Sequence, residues 1–420
     1  MIRFYHDPAA GTSAYHWQID DVKIEESPEH DVVITDAGSW NWNAATAGSY
    51  DSLDYTIIPQ SQLKALPLNI QIFNNGMNDE TNVTAHFNVV NSSGTSVYSS
   101  NVNAGTVAPL DSVTIFTNPP FTPPSAIDTY KISYSVTADA TDLYPADNAD
   151  SSQVMVSADV YARDDNARDG SLGVLDDNDN PLAYTMGNMF HIQHDVTLYA
   201  IDIAIAAGAE AGSVITGEVR DASDLENGLM AVTDEYYVVS ADTTANGGHN
   251  MIHLILTDPL QLSAGGDYFV GMKHLGGTTV RVCSSGESPE RSSFFYGVSP
   301  SQDPTAKWYF ITSTPMVRMN FNATVGIAEN DVHNGAGLGQ NFPNPANSTT
   351  LIPYSLETSA KVSLDVYDMT GKLVKSVTEG QRAAGTYRIQ LDTQDLKAGV
   401  YAYTLTAGQA RITKRMTVVR

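Results

Sequence analysis

The sequence has little of several features that would assign it to a common class of protein. It has no run of 18 or more apolar residues, so no segment is long and apolar enough to cross a bilayer as a helix. Only 22 of its 420 residues are basic, against 48 acidic ones, and the net charge is −26. Because this charge repels phosphate backbones and anionic lipid, the composition argues against nucleic-acid binding and polybasic membrane docking.

The chain has a single cysteine, Cys283, which excludes an intrachain disulfide framework. Cys283 lies in TTVRVCSS, a stretch that alternates like a strand, and no histidine motif accompanies it. These features favour a buried, inert thiol over a nucleophile.

Helical periodicity is almost absent. Short segments rich in Val, Ile, Tyr, Phe and Thr recur between Gly, Asn, Asp and Pro, which is typical of antiparallel sandwiches. The sequence therefore predicts an all-β protein of tandem β-sandwiches: one Ig-like, one jelly-roll-like and a small Ig-like one at the C-terminus. A chain of this length is also too long for one core.

The sequence divides into five predicted segments, each with its own pattern. They are the closing strand of a truncated or upstream jelly-roll module at 1–27, an Ig-like sandwich at 28–157, a jelly-roll-like sandwich at 158–325, a glycine-rich linker at 326–338 and a C-terminal domain at 339–420. In the Ig-like segment, two alternating strands flank an Asn-Gly turn at Asn75-Gly76, because these two residues adopt a positive φ at little energetic cost.

Charge marks the boundary of the C-terminal domain. The 94 residues from Ile327 onward contain 8 acidic and 10 basic residues, a net charge of +2. This leaves 40 acidic and 12 basic residues, a net charge of −28, for the first 326. Between the two parts, VGIAENDVHNGAGLGQ is rich in glycine and lacks strand periodicity, as a linker does.

The C-terminal domain has regular turn chemistry and a stiff start. In NFPNPANSTTLIPYSL the prolines Pro343 and Pro345 hold φ near −65° and remove two backbone donors. The loop DMTG at 368–371 suits a type I turn followed by a glycine at positive φ, and Ala407-Gly408 turns a last hairpin. These segments predict about six strands, enough for a small independent sandwich.

Five motifs in this domain occur in the order and at the spacing of a known family. They are N-F-P-N-P-A-N at 341–347, V-Y-D-M-T-G at 366–371, G-T-Y at 385–387, L-K-A-G-V-Y at 396–401 and T-K-R-M at 413–416. Through them the domain resembles the type A C-terminal sorting domain of the type IX secretion system of Bacteroidetes-group bacteria. The residues that carry this resemblance are Asn341, Pro343, Asn344, Pro345, Tyr367, Asp368, Gly371, Gly385, Gly399, Tyr401 and Lys414.

The resemblance implies that the domain is a transport address. The outer-membrane machinery would recognise it, a sortase-like peptidase would commonly remove it, and the cargo would be released or joined to surface lipopolysaccharide. The protein is then expected outside the cell or on its outer surface. Such proteins normally carry an N-terminal Sec signal, and MIRFYHDPAAGTSAYHW has no hydrophobic core of that kind. We therefore expect this chain to be the C-terminal part of something longer.

Two shorter resemblances point to adhesion proteins. The stretch HWQIDDVKI, within the resemblance at 13–24, is similar to the closing strand of jelly-roll modules in bacterial adhesins, which often read W-x-I-D-D-V. Residues 60–156 resemble the cell-adhesion-related Ig-like modules of prokaryotic surface proteins. That likeness rests on the NNG turn, the strand from Tyr130 to Val136 and the D-N-x-x-S pattern at 147–151.

The most acidic stretch, RDDNARDGSLGVLDDNDNPLA at 163–183, is a candidate calcium site, because this hard cation takes six to eight oxygen ligands. The candidate ligands are Asp164, Asp165, Asp169, Asp176, Asp177 and Asp179. The stretch is no EF-hand, since Pro181 replaces the turn glycine and Gly187 replaces the bidentate glutamate. The alternative is a solvated acidic loop in an acidic protein.

Trp40 and Trp42 in SWNWNAAT share one strand face and are candidates for stacking on sugar rings. The alternative is a place in the core. Either role is compatible with the sequence.

No G-x-S-x-G elbow, H-E-x-x-H motif or phosphate-binding glycine loop is present. The two catalytic carboxylates of a glycosidase need to be close only in the folded structure, so their spacing in the sequence gives no signal. We expect a non-catalytic exported protein whose sandwiches serve adhesion, binding of a glycan or of a host or matrix protein, or spacing. The alternative is the accessory C-terminal region of a secreted peptidase or glycosidase whose catalytic domain precedes Met1. No cofactor other than calcium is suggested.

Overall fold

The computed structural model confirms the all-β prediction. The residues it describes are 27–39, 50, 53–176, 178–238, 242, 250–288, 291–299, 303–323, 325, 332–333, 335–341, 344–368 and 370–419. Among them the regular elements are strands, apart from a short 3₁₀ helix at Gln60–Gln62.

The first part of the chain forms two sheets. Its strands are β1 Val32–Gly38, β2 Ile57–Pro59, β3 Asn69–Asn74, β4 Glu80–Val90, β5 Ser96–Val107, β6 Ser112–Phe116, β7 Asp128–Thr137 and β8 Ala149–Ser157. One sheet has the order β1-β3-β6, and the other has the order β2-β8-β7-β4-β5. Strict alternation builds the core between them, since β7 buries Tyr130, Ile132, Tyr134 and Val136 on one face.

The middle part forms three sheets. Its strands are β9 Val160–Tyr161, β10 Gly170–Leu172, β11 Tyr184–His191, β12 Val196–Ala204, β13 Val214–Asp221, β14 Leu229–Val232, β15 Tyr236–Tyr237, β16 Met251–Leu262, β17 Asp267–His274, β18 Val282–Glu287, β19 Ser293–Ser299, β20 Asp303–Phe310, β21 Ser313–Pro315 and β22 Val317–Asn320. The sheet orders are β14-β13-β17-β11-β19-β20 with β15 on β13, then β16-β12-β22-β9, then β10-β18-β21.

Strand β11 lies in the interior of the largest sheet and is buried along almost its whole length. Gly187 sits at its centre, where an added Cβ would meet the Val270 carbonyl oxygen at 2.0 Å. Close approach of β17 therefore requires glycine there. This explains why the spacing of an EF-hand fails at this position.

The C-terminal part forms a separate pair of sheets. Its strands are β23 Val332–His333, β24 Ala336–Leu338, β25 Thr349–Leu356, β26 Ala360–Asp368, β27 Leu373–Arg382, β28 Gly385–Asp392, β29 Gly399–Ala407 and β30 Ala410–Val418. The sheets have the orders β23-β24-β25-β28 and β27-β26-β29-β30.

The prediction of a strand-free linker at 326–338 was wrong for its second half. Residues 332–333 and 336–338 are strands β23 and β24, and β24 pairs with β25. Ala336 and Leu338 are fully buried in the C-terminal core. Strands of two or three residues contain too few positions for a readable period, so composition alone indicated a linker.

The interpretation of Asn75-Gly76 also needs correction. Strands β3 and β4 lie in different sheets, so the turn connects the two sheets of the sandwich. Gly76 is absent from the residues with positive φ. Its added Cβ would instead lie 3.0 Å from backbone atoms of Glu29 and Asp31, so the glycine is required by close approach.

The described residues form two large apolar cores and a small third cluster around Cys283. One runs without interruption from Val32 to Phe321, and the other holds the C-terminal part from Ala336 to Val418. The first core is continuous across the predicted boundary at 157/158, because Tyr55 stacks on Tyr161 with ring centroids 4.4 Å apart. The domain boundaries drawn from the sequence stay predictions.

Candidate functional site

The Asn-Pro motif begins with a buried asparagine that connects the two C-terminal sheets. The backbone N–H of Asn341 donates to the hydroxyl of Tyr403 on β29, with a distance of 2.8 Å. Its side-chain amide donates to the hydroxyl of Thr350 on β25 at 3.0 Å. The Tyr403 hydroxyl donates onward to the Gly339 carbonyl at 2.9 Å. Asn341 therefore satisfies buried polar groups of both sheets.

Asn344 and the residues after it attach the start of the domain to its last strand. The Asn344 side-chain oxygen accepts the N–H of Thr417 at 2.8 Å, and the Asn344–Pro345 peptide bond is cis. Ala346 then forms a parallel bridge with Val418, and its N–H donates to the Thr417 carbonyl at 2.7 Å. The segment thus pairs along the edge of β30, where proline is tolerated.

Gly371 has the positive φ that was predicted for the end of the DMTG loop. Gly371 has φ 83° and its N–H donates to the Asp368 carbonyl at 2.9 Å. The Asp368 carboxylate accepts the backbone N–H of Thr370 and of Lys372, and these bonds together with the Thr370 hydroxyl lower the pKa of that carboxyl. Tyr367, one residue earlier, pairs with Ala402 across β26 and β29.

The remaining motif residues lie at strand starts and across one strand pair. Gly385 and Gly399 are the first residues of β28 and β29. Tyr401 is buried and donates its hydroxyl to the Lys397 carbonyl at 2.8 Å. Lys414 lies on β30 opposite Tyr403.

These contacts show what the motif does physically. Half of its described residues close turns or satisfy polar groups inside this sandwich, namely Asn341, Asn344, Asp368, Gly371 and Tyr401. These residues stabilise the fold of the domain. Sequence reasoning missed Tyr403, whose signal was available in the alternation of VYAYTLTA, where Tyr401, Tyr403 and Leu405 share the buried face.

Four predicted site residues lie outside the residues that the structure describes: Pro343, Asp177, Trp40 and Trp42. The segment 13–24, which resembles an adhesin strand, lies outside them as well.

The predicted calcium ligands are distributed over separate contacts. Asp164 is fully buried and forms an ion pair with Arg318, whose Nε donates to it at 2.8 Å. Asp165 accepts a hydrogen bond from the Ser285 hydroxyl, and Asp169 accepts from the Gly286 N–H at 2.7 Å. These carboxylates already serve as acceptors for protein donors.

The second half of the acidic stretch forms its own turn. Asp176 accepts the N–H of Asn178 and of Asn180, both at 2.8 Å, and the bonds from Asn180 hold its pKa below the ordinary value. Asp179 is exposed and has φ 62°. Among the residues that are described, no group of three or more His, Cys, Asp or Glu is placed to hold a metal ion. Calcium binding is therefore not confirmed.

A cavity of about 210 Å³ lies where the C-terminal part meets the middle part. Gln340, Asn341 and Asn344 line it from one side, and residues of β15 and β16, with the adjoining acids Asp234 and Glu235, line it from the other. His253 on β16 lines the cavity, and its Nδ1 lies 2.7 Å from Asp202, whose other oxygen accepts from Asn320. The bond to Asp202 raises the pKa of His253.

Cys283 is fully buried in β18, and burial raises the pKa of its thiol. The prediction of a buried thiol is confirmed. No helix within the described part of the chain has the length and apolar character needed to span a membrane.

The search of curated proteins returned no match. Among solved structures, a tetra-tandem repeat from the extending region of a large adhesion protein is 14% identical, covering 93% of this chain and 74% of its own, with a TM-score of 0.17. An alpha-2-macroglobulin from Salmonella is 8% identical, covering 95% of this chain and 33% of its own, with a TM-score of 0.18. A Ruminococcus gnavus beta-glucuronidase is 12% identical, covering 71% and 38%, with a TM-score of 0.13. TM-scores this low carry no argument about function.

The family comparison is specific. Residues 340–419 match the family described as "Secretion system C-terminal sorting domain", which covers β25 to β30 and the Asn-Pro motif before them. Such a domain interacts with the type IX secretion machinery and directs export. The last sandwich of this chain is therefore a type IX secretion system C-terminal sorting domain, and the protein is exported to the cell surface or the extracellular space.

Proposed function

We propose that this protein is a non-catalytic, multi-domain cargo of the type IX system whose upstream sandwiches act outside the cell in adhesion, glycan contact or spacing. The observation that supports this is the combination of an export domain with a long, strand-built, strongly acidic body. A net charge near −28 on the body disfavours nucleic acid and anionic lipid, and leaves neutral glycans or proteins as binding partners.

A sortase-like peptidase is the second partner of this proposal. Removal of the sorting domain would require a cut between the cargo core, which ends at Phe321, and the C-terminal core, which begins at Ala336. The cargo would then be released or joined to lipopolysaccharide at the surface.

Export by the domain is tested with a fusion. Residues 326–420 are attached to a periplasmically targeted fluorescent reporter in a host with the type IX machinery, and the reporter is assayed in the periplasm and in the medium or on the surface. We expect the reporter outside the outer membrane, and retention in the periplasm would contradict the address function.

Glycan contact is tested separately, on the full chain, with a glycan array in the presence and absence of EDTA. Binding that disappears with EDTA supports the calcium-dependent version, and binding that persists supports glycan contact without the metal. The absence of binding in both conditions would remove glycan recognition and leave adhesion to protein or spacing.

A further inference from the structure

The sorting domain touches its own cargo through a cation stacked on an aromatic ring. Arg388 on β28 places its guanidinium carbon 4.0 Å from the ring centroid of Tyr199 on β12. Its Nε donates to the carbonyl of Ala323, just beyond the last strand of the middle part, at 2.6 Å. A planar guanidinium can stack and donate at the same time, which an ammonium group cannot do equally well.

Both residues of this contact are half-buried. Burial lowers the pKa of Arg388 to about 10, although the neighbouring Tyr199 opposes that shift. A cation–π contact gains strength when it is desolvated, so this pair is placed to contribute more than an exposed pair would.

A second contact joins the same two bodies at the Asn-Pro motif. The backbone N–H of Asn344 lies 3.4 Å from a carboxylate oxygen of Asp234, whose other oxygen accepts the Thr257 hydroxyl at 3.2 Å. Asn344 also binds Thr417 through its side chain, so one residue connects the cargo to the last strand of the domain. The cavity of about 210 Å³ lies beside this contact and is lined by residues of both bodies.

The opposite net charges of the two bodies also favour their association. The C-terminal part has a net charge of +2 and the remainder one of −28, so the two bodies attract each other at long range.

We propose that the sorting domain is bound to the middle part of its own cargo by a non-covalent interface, centred on Arg388 with Tyr199 and on Asn344 with Asp234, that holds the two together after the chain between them is cut. The covalent connection makes this association intramolecular, at high effective concentration. Cutting the segment 326–331 then does not separate the domain from the cargo. The cut domain separates from the cargo only when this interface also opens, both before and after export.

The experiment uses the full chain with a site for a sequence-specific viral protease inserted in the segment 326–331. After complete cutting, the two fragments are analysed by size-exclusion chromatography and their affinity is measured by analytical ultracentrifugation. We expect one peak with both fragments in equal amounts at micromolar concentration. Two separate peaks for the wild-type chain would overturn the proposal.

Variants assign the interface to the named contacts. Arg388→Ala and Tyr199→Ala are each expected to weaken the association by about 10-fold. Tyr199→Phe keeps the ring, and Arg411→Ala changes an exposed arginine of the same domain, so both should bind like the wild type. Hydrogen exchange of β12 and of β25 to β30 confirms that each variant is folded. Unchanged affinity in both alanine variants, or equal loss in Tyr199→Phe, would overturn the role of this pair.

Discussion

Asn341 is buried, so its polar groups need hydrogen-bond partners inside the protein. The residue is 2% exposed, and its backbone and side-chain donors serve hydroxyl acceptors on two different sheets. A buried polar group left without its partner costs about 1–3 kcal/mol. The first asparagine of the motif is therefore a structural connector, with its side chain bonded to β25 and its backbone bonded to β29.

Replacement of Asn341 by alanine should loosen the sorting domain. Because Thr350 loses the hydrogen bond from the Asn341 side chain, we expect hydrogen exchange in β25 of the full chain to accelerate by roughly 5- to 150-fold, which corresponds to about 1–3 kcal/mol. The backbone N–H that bonds Tyr403 on β29 is kept in alanine. Asn347→Ala, at an exposed position of the same segment, is the matched control and should leave exchange unchanged. Equal exchange in Asn341→Ala and the wild type would contradict the connector role.

His253 should make stability depend on pH. Its bond to Asp202 raises its pKa above the ordinary 6.5, so the charged form is favoured in the folded state. The resulting stabilisation is fully present below about pH 6.5 and is lost as the pH rises through the higher folded-state value. We expect the thermal midpoint of the wild type to exceed that of His253→Gln by more at about pH 6 than at about pH 8.5.

Scanning calorimetry of both proteins at the two pH values measures this difference. A gap between wild type and His253→Gln that stays constant with pH would show that the histidine contributes only packing.

At the level of elements, the last strand closes the sorting domain. Strand β30 pairs with β29 along its whole length and also receives the start of the domain at Ala346. Met416 and Val418 on β30 are buried in the C-terminal core. A strand with partners on both sides and four residues in the core cannot be shortened without opening the sheet.

Deletion of residues 414–420 is therefore expected to abolish export of the reporter fusion. The deletion removes Met416, Val418 and the partner of Asn344. Export is measured as reporter signal outside the outer membrane. The control Arg411→Ala alters an exposed residue of β30 outside the five motifs and should be exported normally. Normal export of the deleted form would contradict the requirement for a complete sheet.

At the scale of the whole molecule, the described residues form two large apolar cores, and the first of them spans the predicted boundary at 157/158. The Tyr55 ring stacks on Tyr161 and its hydroxyl accepts the N–H of His191 at 2.8 Å. Near this junction Arg163 is buried and donates to the Ser292 carbonyl at 2.7 Å. The Tyr55 contacts tie the first sandwich to the middle one, and the Arg163 contact lies within the middle one.

We expect this arrangement to produce two thermal transitions, one for residues up to about 325 and one for the sorting domain. Arg163→Ala should lower the first transition and leave the second unchanged, because the lost partners Ser288, Ser292 and Ser293 all lie in the first core. Scanning calorimetry of the full chain tests both statements. Three transitions would show that the first two sandwiches unfold independently.

Alternation, turn chemistry and motif order are local properties, so the fold class, the export domain and the positive φ of Gly371 could be predicted from the sequence. The partners of those residues depend on the tertiary structure. The strands β23 and β24 are too short to show a period. Gly76 and Gly187 are required because backbone atoms of segments distant in sequence lie too close to them for a side chain. The aspartates at 164, 165 and 169 were grouped by their spacing in the sequence. In the structure each of them accepts a hydrogen bond from a donor more than a hundred residues away. The stacking of Arg388 on Tyr199 has no signal in sequence, since long-range contact depends on how two finished surfaces meet.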